Sequence, residues 1–184
     1  DAPEFRAFIE SQGLGRDDRL VPQIIEKVYD SARCHLNPQG WLRECLELLE
    51  TGGIQDAGQT IWGKSLMDDL DEYLDSQISV FRQCIRQMEC CDGLEKPILN
   101  FQDTLHQLES LKEKTSWDEV VAGRNVDYGR LVFPKKSADP ELAERVKAAR
   151  NACKAGLEKK LRNFTDDSDQ ILADLRQSAE GARG

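Results

Sequence analysis

With 184 residues, of which 39% are hydrophobic, 32% charged and 7% aromatic, the chain is long enough to bury a core of its own. High charge with few aromatic residues is typical of a helical protein, and apolar residues at helical spacing exclude a disordered chain. The net charge of −9 argues against general binding to nucleic acid or anionic membranes, and no apolar run approaches the roughly 20 residues that cross a bilayer.

The N-terminal part of the chain predicts short helices. Residues 1–12 predict an amphipathic helix that lids the bundle, and a second helix is expected from about Val21 to Leu36. Asn37 has a side chain that can cap a third helix, in which Pro38 takes the first position. The chain begins with Asp1 rather than Met, so we expect its natural start to lie upstream.

The stretch from Gln55 to Cys91 predicts one long helix on which the rest of the chain packs. Its residues Met67, Leu74, Phe81 and Met88 recur every seven positions. Further apolar residues widen this stripe on both sides. A stripe of that width indicates contact with more than one neighbouring helix, as in the middle of a bundle.

A second long helix is expected after Gly93, which suits the left-handed position at the end of the central helix. Apolar residues between Leu94 and Lys114 form a narrow seam, and the short turn predicts that this helix folds back antiparallel on the central one. Ser116 and Glu119 then have the spacing of a capping box, which predicts a short helix.

Residues 124–138 lack helical periodicity and predict an extended loop that crosses the bundle, pinned by Leu131 and Phe133. Its length permits a crossover between distant ends. Asp139 then caps the last helix, in which the polar segment from Thr165 to Asp169 is a candidate interruption.

These elements predict an all-α, elongated antiparallel helical bundle. Its three long helices span about 55–91, 94–114 and 140–178, preceded by short N-terminal helices. We expect one domain over residues 1–184, made of short helices (1–53), a central hairpin (55–122), the loop (123–138) and a basic C-terminal helix (139–180).

The cysteines predict free, buried thiols and therefore a reducing, cytoplasmic location. No C-x-x-C pair occurs, and the adjacent Cys90 and Cys91 cannot easily bridge each other. Disulfide pairing among the six remains the alternative.

No pattern in the chain indicates catalysis. His35 and His106 lack a metal-ligating partner at helical spacing, and there is no nucleophile-elbow, Walker or dinucleotide-binding motif. We therefore predict no catalytic residue, no cofactor and no metal, and hence a protein that is not an enzyme.

Basic residues are concentrated in one segment. From Arg124 to Arg162 there are eleven Lys or Arg against five Asp or Glu, while the whole chain is acidic. The candidate partner-binding residues are Lys135, Lys136, Arg145, Lys147, Arg150, Lys154, Lys159, Lys160 and Arg162. The alternative is charge complementarity within the bundle, against the acidic central helix.

The predicted function is a non-enzymatic protein–protein interaction module, a scaffold or adaptor subunit of a larger assembly. The expected partner is another protein with an acidic surface, a homodimer is an alternative, and nucleic acid is not expected. Two other hypotheses are a membrane-binding curved helical dimer of the BAR type and a small-molecule or lipid-binding helical protein. In the last case Trp41, Trp62 and Phe81 would line a pocket.

Overall fold

The computed structural model describes residues 20–48, 51–134 and 139–183, which are helical apart from turns and one extended loop. The helices are α1 (Leu20–Arg33), α2 (Pro38–Leu48), α3 (Ile61–Glu89), α4 (Glu95–Lys112), α5 (Trp117–Gly123), α6 (Pro140–Leu161) and α7 (Ser168–Arg183), with one 3₁₀ turn at Ala57–Gln59. The described residues contain no strand, so the predicted all-α class is confirmed. The helix predicted over residues 1–12 lies outside the described ranges.

The chain divides into two compact units. The N-terminal unit comprises Asp1–Ile61 with Ser168–Gly184, and the central unit comprises Trp62–Asp167. The expectation of one domain over residues 1–184 stays a prediction.

In the central unit, α4 runs antiparallel to α3. Near one end of the pair, the Lys112 ammonium lies 3.0 Å from the Asp71 carboxylate and 2.6 Å from that of Asp75. Towards the other end, the rings of Phe81 and Phe101 stack with their centroids 4.7 Å apart. The hairpin predicted from the turn at Gly93, where φ is +80°, is therefore present.

Helix α6 also runs antiparallel to α3, on different residues. Lys160, near the end of α6, pairs with Asp69, and the Cys153 carbonyl accepts a hydrogen bond from the Tyr73 hydroxyl at 3.0 Å. Because α4 and α6 are both antiparallel to α3, they are parallel to each other. The segment between them must return along the bundle, which is the crossover that the loop's length permits.

The core-facing side of α3 follows the predicted stripe. The buried residues of α3 are Gly63, Leu70, Leu74, Ile78, Phe81, Cys84, Ile85 and Met88. Met67 and Tyr73 are half-buried at its margins. A face of this width contacts α4 on one side and α6 on the other, as the contacts above show.

The predicted start of the central helix at Gln55 is wrong, because α3 begins at Ile61. The Asp56 side chain accepts a hydrogen bond from the N–H of Gly58 at 2.7 Å and caps a 3₁₀ turn instead. Thr60 then adopts an extended conformation and its hydroxyl donates to Ala57 O at 2.7 Å. These local bonds replace the helical ladder at this point.

The predicted long helix over 140–178 is divided in two, because α6 ends at Leu161 and α7 starts at Ser168. The break overlaps the candidate interruption at Thr165–Asp169. In the segment between α6 and α7, Phe164 is 1% exposed, so its ring lies in the core. The Trp117 indole N–H donates to Asp166 O at 2.9 Å, and Arg124 donates to Phe164 O and Thr165 O. Side-chain donors therefore satisfy the carbonyls of this break.

The N-terminal unit joins α7 to the segment before α3. Ala57 N–H donates to the Ser168 hydroxyl at 2.9 Å, and the Arg176 guanidinium donates to the Thr51 hydroxyl at 3.0 Å. As predicted, Asn37 caps α2, accepting from Gly40 N–H at 3.0 Å. Among the described residues, no helix combines the length and the apolar character of a membrane span.

Candidate functional site

The loop of residues 124–134 is held by side chains of α4 and α6. Asn100 and Arg150, one from each helix, both donate to Tyr128 O at 2.8 Å. Gln107 makes two bonds with the backbone of Asp127, donating at 2.9 Å and accepting at 2.7 Å. Because side chains bind its backbone groups from both sides, the loop has a defined path without regular secondary structure.

Tyr128 is the main side-chain anchor of this loop, rather than the predicted Leu131 and Phe133. Tyr128 is 8% exposed, whereas Leu131 and Phe133 are only half-buried. Its hydroxyl lies 3.5 Å from the Cys153 sulfur. Burial, followed by the contact with Cys153, raises the pKa of Tyr128 well above its usual value, and burial also raises the pKa of the Cys153 thiol.

Three of the predicted basic residues lie on the side of α6 that faces the loop. Lys147, Arg150 and Lys154 are spaced by three and four residues, which places them on one side of a helix. The Lys147 ammonium lies 5.5 Å from the centroid of the Phe133 ring, and the Arg150 guanidinium lies 5.6 Å from that of Tyr128. Cation–π contact therefore supports both positions.

Arg124, at the start of the loop, adds a fourth basic residue to these three. Arg124 and Lys154 line a cavity of about 190 Å³, together with Asn125 and Glu158. We call Arg124, Lys147, Arg150 and Lys154 the basic edge. It lies along the cleft between the loop and α6.

The charge of the basic edge is partly compensated. Glu144 lies 2.7 Å from the Lys147 ammonium, and Glu158 lines the same cavity as Lys154. Among the groups named here, four are positive and two are carboxylates, on a chain whose net charge is −9. Lys154 is exposed, so its ammonium is available to an anionic ligand.

The other predicted residues are not part of this edge. Lys160 lies 2.5 and 2.6 Å from the two oxygens of Asp69, so it joins α6 to the acidic side of α3, as the alternative of internal charge complementarity predicts. At about 100° per residue, Arg145 and Lys159 fall on other sides of α6, and Arg162 follows its last residue. Lys135 and Lys136 lie outside the described residues. The nine candidates therefore do not form one surface.

Sequence reasoning missed Arg124 and Tyr128. Arg124 follows the glycine that ends α5, and only its contribution to the basic excess drew attention to it. The sequence did not indicate that Tyr128 anchors the loop, because its partners Asn100 and Arg150 belong to helices distant in sequence.

The proposed ligand pocket of Trp41, Trp62 and Phe81 is wrong. Phe81 is fully buried in the packed core against Phe101, while Trp62 packs edge-on against Trp117. Phe81 lies nineteen positions after Trp62 on α3, about 28 Å along the axis. These two side chains therefore line no common pocket.

The described residues were compared with the requirements of a metal site and of a disulfide. No group of three or more His, Cys, Asp or Glu residues in the described part of the chain is arranged to hold a metal ion. All six cysteines have free thiols. His106 lines a polar cavity of about 380 Å³ with Asn100 and Asp103.

Comparison with known proteins gives a consistent result across organisms. No protein-family model matches the chain. The chain is similar to an ATP-dependent helicase/nuclease subunit of Clostridium novyi (strain NT), 28% identical over 180 residues that cover 94% of this chain. The proteins of the same name in Ruminiclostridium cellulolyticum and Acetivibrio thermocellus are 26% and 23% identical over 181 residues, also 94% of this chain. In each case the chain spans only 14% of the relative's length.

These relatives overturn the predicted function. The prediction of a non-enzymatic scaffold or adaptor module is wrong, because the relatives are named as part of an enzyme. The prediction that the protein is not an enzyme is wrong for the same reason. The expectation that nucleic acid is not a partner also lacks support, since the relatives are named helicase and nuclease.

Proposed function

We propose that this chain is a helical segment of an ATP-dependent helicase/nuclease, and that its basic edge contacts the phosphate backbone of DNA. The observation that carries the proposal is the similarity over 94% of the chain to helicase/nuclease subunits of several organisms. The activity itself belongs to a polypeptide of which the matched segment is a small part.

The geometry of the basic edge supports a backbone contact. Lys147, Arg150 and Lys154 project from one side of a rigid helix, and Arg124 comes from a loop that is fixed by hydrogen bonds. Rows of Lys and Arg neutralise phosphates without regard to base sequence. Two neighbouring carboxylates reduce the positive charge of the basic edge. We therefore expect a Kd at the weak end of non-specific binding, on the order of 10⁻⁴ M.

Fluorescence anisotropy with a labelled DNA duplex that carries a single-stranded tail tests the contact. Charge reversal at Lys147→Glu and Lys154→Glu is expected to weaken binding at least about tenfold, because two attractive contacts become repulsive. Lys159→Glu with Arg162→Glu is the matched control, since it changes the net charge equally at residues outside the basic edge. The control is expected to weaken binding by less than about threefold.

Two outcomes contradict the proposal. Equal loss of affinity in both double variants would indicate only a general effect of net charge. No measurable binding of the folded parent chain would remove the DNA contact altogether. Circular dichroism of all variants checks that the helices persist.

The proposal includes a protein partner and a location. The relatives are each named as one subunit of an enzyme, so we expect a further subunit to bind the longer polypeptide. Six free thiols fit a reducing compartment, and we place the protein in the cytoplasm.

A further inference from the structure

A cavity of about 200 Å³ lies between the end of α4 and the start of the loop, and we call it the α4 cavity. Four polar side chains that line it form no hydrogen bond with another described residue. They belong to His106, Ser110, Lys114 and Asn125. Each of these side chains can donate a hydrogen bond, and no carboxylate is among the described residues that line the cavity. The α4 cavity therefore favours an anion over a cation.

The end of α4 brings three of these groups into one row. His106, Ser110 and Lys114 follow one another at intervals of four residues, which places them on one side of the helix. Lys114 lies just beyond the last residue of α4, in a turn where its N–H donates to Leu111 O at 3.2 Å. Gly123, which ends α5, also lines the cavity, and a β-carbon there would lie 3.6 Å from the Lys114 ε-carbon. Because glycine has no side chain, the Lys114 stem can pass this close to the end of α5.

The carboxylates around the cavity leave the Lys114 ammonium available. It forms no ion pair with a described residue, and the side chain is half-buried. The pKa of Glu119 is lowered mainly by hydrogen bonds from two backbone N–H groups and to a smaller extent by Lys114, so this carboxylate attracts the ammonium only weakly. Asp103 and Asp127 line the neighbouring polar cavity rather than this one.

We propose that the α4 cavity binds a phosphate group. Ammonium, hydroxyl and amide groups, here those of Lys114, Ser110 and Asn125, are donors that proteins use to hold phosphate oxygens. The exposed His106 imidazole supplies a further N–H at the rim of the cavity. The ligand is therefore recognised by its charge and its acceptor oxygens.

The position of the α4 cavity makes the backbone of DNA the source of that phosphate, and this assignment rests on the proposed function. The α4 cavity shares Asn125 and Val126 with the cavity that Arg124 and Lys154 line. The two cavities are therefore neighbours along the same loop. A DNA strand on the basic edge can place a further phosphate next to Lys114.

Nuclear magnetic resonance of the 184-residue chain tests the phosphate site, because the chain has only two histidines. His106 lines the α4 cavity, whereas His35 stacks on Trp41 in the N-terminal unit. Titration with inorganic phosphate at fixed pH and ionic strength is expected to shift the imidazole C–H signals of His106 and not those of His35. Because Lys114 is the one permanently charged lining residue, we expect a Kd on the order of 1–10 mM. Sodium chloride at the same ionic strength is expected to shift neither histidine.

Lys114→Gln removes the ammonium, and Lys96→Gln, at an exposed position in the first turn of α4, is the matched control. Lys114→Gln is expected to weaken binding of inorganic phosphate at least about fivefold and to reduce the salt slope of DNA binding by about one. Lys96→Gln is expected to change either affinity by less than about twofold. Circular dichroism checks that both variants stay folded.

The two ligands identify the source of the phosphate. If Lys114→Gln weakens the binding of both inorganic phosphate and DNA, the cavity holds a backbone phosphate. If it weakens only the binding of inorganic phosphate, the site stands with a free phosphate as its ligand. Equal shifts of His35 and His106, no shift of His106, or unchanged phosphate binding by Lys114→Gln would overturn the proposal. The basic edge is tested separately with Lys147→Glu and Lys154→Glu, so failure of the proposed function is distinguishable from failure of the phosphate site.

Discussion

Tyr73 of α3 and Gly156 of α6 approach so closely that a β-carbon on residue 156 would overlap the Tyr73 hydroxyl oxygen and lie 2.8 Å from the ring carbon that bears it. That hydroxyl donates to Cys153 O, one turn earlier on α6, at 3.0 Å. A glycine inside a helix usually lowers stability, by about 1 kcal/mol relative to alanine. Here it allows two helices to approach each other, so packing accounts for it rather than flexibility.

Gly156→Ala is expected to destabilise the protein by about 1–2 kcal/mol. Overpacking costs about 1–3 kcal/mol, which exceeds the gain in helix propensity. The free energy of unfolding in urea measures the effect. Gly123→Ala is the control, because its new β-carbon would meet other atoms at ordinary distances of 3.6 and 3.8 Å.

Tyr73→Phe in the Gly156→Ala background is expected to recover part of this loss, since it removes the nearest clashing atom. The two substitutions must then be non-additive. Additive effects, or an unchanged free energy for Gly156→Ala, would contradict the close approach.

Stability is expected to fall at alkaline pH. Burial, with a smaller contribution from Cys153, raises the pKa of Tyr73 from 10.0 to about 12. The folded state therefore retains a proton that the unfolded state releases, so the stabilisation is complete below about pH 10 and is lost as pH rises towards 12. Urea unfolding at pH 9 and at pH 11 measures the difference. Tyr73→Phe is expected to reduce it, and an identical pH dependence in parent and variant would contradict the assignment.

The capping box of α5 is expected to make the free energy of unfolding depend on pH in the acidic range. The Ser116 hydroxyl accepts from Glu119 N–H, while the N–H groups of Thr115 and Ser116 donate to the Glu119 carboxylate and lower its pKa. Its contribution is present above the unfolded pKa of about 4.3 and is lost as pH falls through the lower folded value. Glu119→Gln should make the free energy of unfolding less dependent on pH below about pH 5.

Ser116→Ala is expected to cost about 1 kcal/mol at neutral pH through loss of the cap. Trp117, the first residue of α5, is fully buried, so fraying of this helix is also visible in tryptophan fluorescence. Neutral effects of both Ser116→Ala and Glu119→Gln would count against the capping box.

Cysteine reactivity should separate two classes of thiol. Cys84 and Cys153 are 8% and 0% exposed, and burial raises the pKa of each. Cys34 and Cys90 are exposed. Because only the accessible thiolate reacts, N-ethylmaleimide should modify Cys34 and Cys90 at least about tenfold faster than the buried pair, as peptide mass spectrometry can follow. Fast modification of Cys153 in the folded protein would contradict the core described here.

Several features of the fold follow from local patterns in the sequence. The heptad spacing of α3, the cap residues Asn37 and Ser116 and the turn at Gly93 were predicted because each rests on neighbours in the sequence. The start of α3 at Ile61 was not predicted, although the bonds of Asp56 and Thr60 beside it are local. The end of α6 at Leu161 was anticipated only as an interruption near Thr165, because this break also depends on bonds such as that of Trp117 to Asp166, which join distant segments.

The candidate site was predicted only in part. Helical spacing alone groups Lys147, Arg150 and Lys154, but it does not say which side of α6 faces the loop. That depends on Tyr128, whose contacts come from two helices. Nucleic acid was not expected as a partner because the prediction used the net charge of −9, which describes the whole chain. A phosphate contact needs only a local excess of positive charge.

The salt dependence of DNA affinity shows whether the basic edge contacts phosphates. For the parent chain, the logarithm of the binding constant should fall linearly with the logarithm of salt concentration, because bound phosphates release counterions. Lys147→Glu with Lys154→Glu should reduce the magnitude of that slope by about one to two, while Lys159→Glu with Arg162→Glu should leave it nearly unchanged. An equal slope for the parent chain and both double variants would contradict a DNA contact at the basic edge.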